Sequence, residues 1–77
     1  MPIEPEQIRA LIQVALPDAQ VACTDLTGTL DHWQVEVVST GFAGKRLLQQ
    51  HRLVKDALHE RIMDGTIHAL TLKTRTP

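Results

Sequence analysis

Residues 37–77, VVSTGFAGKRLLQQHRLVKDALHERIMDGTIHALTLKTRTP, restrict the fold most, because they set one long helix-like stretch between two strand-like ones. Upstream, residues 32–39 (HWQVEVVS) alternate Trp33, Val35 and Val37 against His32, Gln34 and Glu36, the period of a half-buried strand. Residues 67–74 (IHALTLKT) read as a further strand. Between the two, Leu47, Leu48, His51, Val54, Leu58 and Ile62 form an apolar stripe at helical spacing, closed by Asp64-Gly65. Two strands joined through a helix cannot be a hairpin. They are expected to pair in parallel, with a right-handed crossover.

The first half supplies the remaining elements. Ile8, Leu11, Ile12 and Ala15 mark an amphipathic helix over residues 5–16. Pro5 suits its first turn, Glu4 and Glu6 favour the positive end of its dipole, and Pro17-Asp18 ends it. Residues 20–25 (QVACTD) read as a strand and residues 26–31, with Thr27-Gly28-Thr29, as a hairpin loop. The expected order is α-β-β-α-β, with a helical turn near 39–43. This is one α+β domain over residues 1–77, a three-stranded mixed sheet with helices on one face. In that topology the second and third strands begin at the same sheet edge, so His32, His68 and the 26–31 loop converge there.

Composition narrows the function. A chain of 77 residues with two aromatics, Trp33 and Phe42, forms one domain around an aliphatic core. A single cysteine allows no internal disulfide, so a reduced, intracellular protein is expected. No secretory signal and no apolar run near ~20 residues is visible, which predicts a soluble, cytoplasmic protein with no membrane partner. The net charge of −1 gives the whole chain no nucleic-acid signature. Charge is nevertheless uneven. Lys45, Arg46, Arg52, Lys55 and Arg61 face only Asp56 and Glu60 within residues 45–61, a pattern that solvated helix faces often share.

Three classes of chemistry bear on the remaining residues. For metals, one Cys and four His (His32, His51, His59, His68) occur without a Cys-x-x-Cys or a zinc-spaced His pair. Closed zinc sites and iron–sulfur clusters take four ligands, so this domain can only contribute one or two at a shared interface. Against ligation stand ordinary roles: His68 as a half-buried strand residue, His32 packed beside Trp33, Cys23 as a small core hydrophobe, His51 as a core or cap histidine, His59 as inert surface. For nucleic acids, Gly41-Phe42-Ala43-Gly44 followed by Lys45 and Arg46, with Arg52 a turn and a half on, has the Gly-x-x-Gly shape that lets a main chain and a helix N-terminus approach phosphates. Gly44 alternatively serves only the turn. For catalysis, Ser39 is the only serine, no nucleophile stands beside a base, and a domain this small encloses no typical pocket of roughly 300 Å³. A non-enzyme is expected.

The order of elements, with Phe42-Ala43-Gly44-Lys45, His51-Arg52-Leu53-Val54 and Ile67-His68-Ala69-Leu70 in place, resembles the BolA family of small proteins over essentially the whole chain. The resemblance implies the BolA fold, similar to the type II KH arrangement. It also implies an adaptor role in iron–sulfur cluster assembly, trafficking or iron homeostasis. The implied partner is a monothiol glutaredoxin, with which a bridging [2Fe-2S] cluster is completed using the partner's cysteine and its bound glutathione. The histidine at the position of His68 is then the principal ligand, and a His or Cys from the loop between the first two strands is the second. Here that loop holds neither. Asp31 stands about where some relatives carry the cysteine, His32 follows it, and Cys23 falls inside the first strand. His68 carries over directly, with His32 the best substitute for the second ligand and Cys23 the reserve. Some BolA-like proteins are described as transcriptional regulators, so DNA contact through Gly41, Gly44, Lys45, Arg46 and Arg52 is the alternative. A weak homodimer is the remaining partner expectation.

Overall fold

The computed structural model describes residues 3–77. Helix α1 (Pro5–Ala15) leads into strand β1 (Gln20–Asp25), strand β2 (His32–Val38), a short 3-10 turn (Thr40–Phe42), helix α2 (Leu47–Ala57), helix α3 (His59–Met63) and strand β3 (Ala69–Arg75). The sheet order is β1-β2-β3, antiparallel between the first pair and parallel between the second, as the helical crossover requires. No helix among the described residues is long and apolar enough to cross a membrane.

Alternation decides which face the helices cover. Register sets Val21 beside Val37 and Cys23 beside Val35 across β1–β2, and Trp33 beside Leu70 and Val35 beside Leu72 across β2–β3. These side chains share one face and pack with Ile8, Ile12, Val54 and Leu58, which are fully buried. The other face carries Gln20, Ala22, Thr24, His32, Gln34, Glu36, Thr71 and Lys73 and has no helix over it. Trp33, 1% exposed, fills the middle of the packed layer, and its indole N–H donates to the Leu30 carbonyl at 3.2 Å.

Several boundaries differ from the sequence pattern. Leu47 and Leu48 are 60% and 69% exposed instead of lying on the buried stripe, because they form the first turn of α2, before the helix reaches the sheet. Contact with the sheet begins at Gln50, whose Oε1 accepts the Thr74 hydroxyl at 2.8 Å. The expected single long helix is broken at Leu58 (φ −103°, ψ 9°). The Leu58 N–H is shared between the Val54 and Lys55 carbonyls, and its own carbonyl accepts from Arg61 and Ile62 to start α3. That bend drives Leu58 fully into the core. At the end of α1, Leu16 is buried in place of Ala15. Strand β3 starts at Ala69, so His68 lies just outside it and is exposed.

One carboxylate ties the end of α1 to the end of β2. Asp18 accepts the Ser39 hydroxyl at 2.6 Å, the Thr40 amide at 2.8 Å and the Thr40 hydroxyl at 2.7 Å. Hydrogen bonds from Ser39 and then Thr40 favour its charged form and lower its pKa from 3.8 to about 2. A depressed carboxylate pKa adds stability that is complete above the unfolded value and disappears as the acid protonates in the folded state. Asp18→Ala is therefore expected to lower Tm at neutral pH, with the gap from wild type narrowing as pH falls from 3.8 towards about 2. A gap that stays constant across that interval would show that the charge on Asp18 contributes nothing.

Candidate functional site

The β1–β2 loop is organised by Asp25. One carboxylate oxygen accepts the amides of Thr27 (3.3 Å) and Gly28 (2.9 Å), and the other accepts that of Leu30 (3.2 Å). The Leu26 amide donates to the His32 carbonyl at 2.9 Å, and Leu30 takes a left-handed backbone at φ 58°. These bonds fold six residues tightly enough to present Asp31 and His32 at the entrance of β2. From the far end of the chain, the His68 and Ala69 amides donate to the Asp31 carbonyl at 2.7 and 3.2 Å. His32 then pairs with Ala69 in the parallel ladder.

This places the two imidazoles together. Their ring centroids are 5.2 Å apart and their planes are inclined by 51°. His32 is 34% exposed, and its Nδ1 lies 2.8 Å from an Asp31 carboxylate oxygen that also accepts the Thr29 hydroxyl. The Thr29 hydrogen bond, followed by that to His32, holds Asp31 below the ordinary carboxylate range.

The spacing suits a shared metal. Two imidazoles bound to one tetrahedral ion at about 2.0–2.1 Å have centroids on the order of 5 Å apart, and the observed separation meets that requirement. Two nitrogens are half of a four-ligand set. Among the described residues no group of three or more His, Cys, Asp and Glu is arranged to hold an ion, so a four-ligand set at this corner would need ligands from outside the chain.

Cys23 is not brought to this corner. It pairs with Val35, three residues along β2 from His32, and lies on the helix-covered face against the core. Burial pushes its thiol pKa up, with partial opposition from Arg9. His51 is half-buried, and its Nε2 is buried without a hydrogen-bond partner among the described residues. His59 is exposed where α3 begins.

In and around the Gly-x-x-Gly segment most main-chain amides are bonded within the chain. The amides of Thr40, Gly41, Phe42, Ala43, Lys45 and Arg46 donate respectively to Asp18, the Ser39 hydroxyl, the Ser39 carbonyl, the Thr40 carbonyl, the Phe42 carbonyl and Gln49. Those six amides are turned to the chain's own acceptors, whereas the amides of Gly44 and of Leu47 and Leu48 at the start of α2 have no such partner among the described residues. Gly44 has φ 74° with open space around it, so it serves the turn. A Cβ on Gly41 would lie 2.6 Å from Leu16 Cδ2, so that glycine serves packing. Lys45, Arg46 and Arg52 are exposed on this side.

Sequence reasoning found both histidines but not the two aspartates that hold them. The signal that could have marked Asp25 is its place two residues before Thr27-Gly28, since aspartate side chains commonly accept main-chain amides two or three residues on in a turn. Asp31 had only its adjacency to His32 to mark it.

A family model described as BolA-like protein matches residues 8–77. Protein BOLA2 of Arabidopsis thaliana is 40% identical over 74 residues, covering 94% of this chain and 77% of that protein. Among solved structures, BolA1 from Arabidopsis thaliana superposes with a TM-score of 0.82 at 32% identity, covering 97% of this chain and 95% of that one. The BolA domain of SufE1 from Arabidopsis thaliana superposes with a TM-score of 0.84 at 26% identity, covering all of this chain and 95% of that domain. The description of the matched family names no catalytic activity.

Three outcomes are expected of this geometry. Gly44→Ala should lose about 1–2 kcal/mol in denaturant melts through left-handed backbone strain, and Gly41→Ala about 1–3 kcal/mol through overpacking against Leu16. Cys23 should react with a thiol reagent far more slowly in the native protein than in the unfolded chain. Equal rates would contradict its placement in the packed layer.

Proposed function

Because the chain belongs to the BolA-like protein family, we propose that it is an adaptor in iron–sulfur cluster assembly, trafficking or iron homeostasis, forming a heterodimer with a monothiol glutaredoxin and co-ligating a bridging [2Fe-2S] cluster. The observation that carries this function is the pair of imidazoles, His32 and His68, 5.2 Å apart at a solvent-facing sheet edge. The chain supplies two nitrogens. The partner's cysteine and its bound glutathione supply the thiolates that a cluster of this kind requires. Neutral imidazole in place of thiolate leaves less negative charge at the iron, which raises the reduction potential.

Exposed apolar and basic residues at both ends of the sheet are available to a protein partner. Leu26, 52% exposed, is joined through its amide to the His32 carbonyl. Leu47 and Leu48 give α2 an exposed apolar end flanked by Lys45, Arg46 and Arg52, and Lys73 and Arg75 are exposed on β3. The alternative, a nucleic-acid-binding transcriptional regulator, would draw on these cations and on the N-terminus of α2, while most amides of the Gly-x-x-Gly segment are bonded within the chain.

The test is anaerobic reconstitution with a monothiol glutaredoxin, iron, sulfide and glutathione, followed by visible circular dichroism. A spectrum distinct from that of the glutaredoxin homodimer is expected, abolished by His68→Ala and weakened by His32→Ala, with both variants folded by far-UV dichroism. A wild-type spectrum identical to the homodimer's, or loss of fold in His68→Ala, would refute the function.

A further inference from the structure

Asp31 is bonded to both histidine segments by two different groups. Its main-chain carbonyl accepts the His68 and Ala69 amides, and its carboxylate accepts from His32 Nδ1 and the Thr29 hydroxyl. An ionised carboxylate only accepts, so the proton in the Asp31–His32 bond belongs to Nδ1. A neutral imidazole has a single N–H, so Nε2 is then the atom with a lone pair. Thr29 steadies the same carboxylate oxygen, which prevents the acceptor from swinging away from the ring.

We propose that Asp31 is a positioning residue: it fixes His32 as the Nδ1–H tautomer and locks its ring, so that Nε2 is the atom offered to metal beside His68. Carboxylates play this part behind many metal-binding histidines, where they set the tautomer and raise the basicity of the ligating nitrogen. The assignment explains how a loop without a histidine or cysteine of its own still serves the corner. Residues 26–31 contribute the acceptor, and the first residue of β2 contributes the ligand. The metal that Nε2 meets rests on the cluster-sharing function proposed above, whereas the tautomer belongs to the free protein.

That difference separates the tests. In the free protein with nitrogen-15-labelled histidine, above about pH 8 where ordinary imidazoles are neutral, long-range proton–nitrogen correlation should show His32 as the Nδ1–H form. Asp31→Ala should shift it towards the other tautomer. Asp31→Asn, whose amide oxygen can accept the same bond, should preserve it. Main-chain bonds to His68 and Ala69 do not involve the side chain, so both variants should keep the β2–β3 pairing by amide hydrogen exchange. In the glutaredoxin heterodimer, Asp31→Ala should weaken cluster retention against a chelator about 10–100-fold, with Asp31→Asn restoring most of it. An unchanged His32 tautomer in Asp31→Ala, or equal loss of the cluster in both variants, would overturn the positioning role. A tautomer shift in a protein that forms no holo heterodimer would confirm the positioning while refuting the cluster-sharing function.

Discussion

Trp33 pairs with Leu70, Val35 with Leu72, and His32 with Ala69 across the parallel β2–β3 ladder, and both the core and the histidine corner depend on that register. A slip of one residue would turn every side chain of a strand to the opposite face, exposing the apolar row and burying the polar one. The hydrophobic effect therefore enforces the register along the whole ladder. Its first rung also joins the two parts of the candidate site. His32 and His68 lie far apart in the chain, and nothing local brings them together. The Asp31 carbonyl, accepting from His68 and Ala69, anchors the ladder at the point where the imidazoles meet.

Three aspartates divide the polar work of the fold. Asp25 shapes the β1–β2 loop, Asp31 sets the edge where the strands begin, and Asp18 holds the opposite end, where β2 runs into the 3-10 turn. The last of these has a functional consequence as well as a structural one. By taking the Thr40 amide and the hydroxyls of Ser39 and Thr40, Asp18 puts a negative charge beside the glycine segment and satisfies donors that would otherwise favour phosphate. The residues just before the Gly-x-x-Gly segment thus form a joint between α1 and β2. The Gly-x-x-Gly loop itself lies on the surface with only Phe42 buried, and the two imidazoles lie at the other end of the sheet.

Much of this was legible in the sequence, for identifiable reasons. Alternation at Trp33, Val35 and Val37 gave the packed face of β2. A helix between two strands demanded parallel pairing, and parallel pairing placed His32 and His68 at one edge. Periodicity failed at Leu47 and Leu48 because spacing shows which side of a helix is apolar, not where along its length the sheet begins. It failed again at Leu58, where an unbroken apolar stripe hid a bend. Cys23 was readable as a strand residue, but only the register showed which face it occupies and how far along the ladder it lies from His32. The contacts of Asp18 span more than twenty residues and leave no pattern in the chain, while the bond from Asp31 to its neighbour depends on ring orientation. Composition and spacing carry neither.

The proposed function requires that two histidines of one chain bind the same metal centre. The most direct measurement is electron–nuclear double resonance on the reduced heterodimer with a monothiol glutaredoxin, with nitrogen-15 histidine only in this protein. Two labelled-nitrogen couplings are expected, one lost in His32→Ala and the other in His68→Ala. A single coupling that persists in His32→Ala would leave His68 as the sole ligand and contradict the paired corner. No coupling at all would remove imidazole from the cluster.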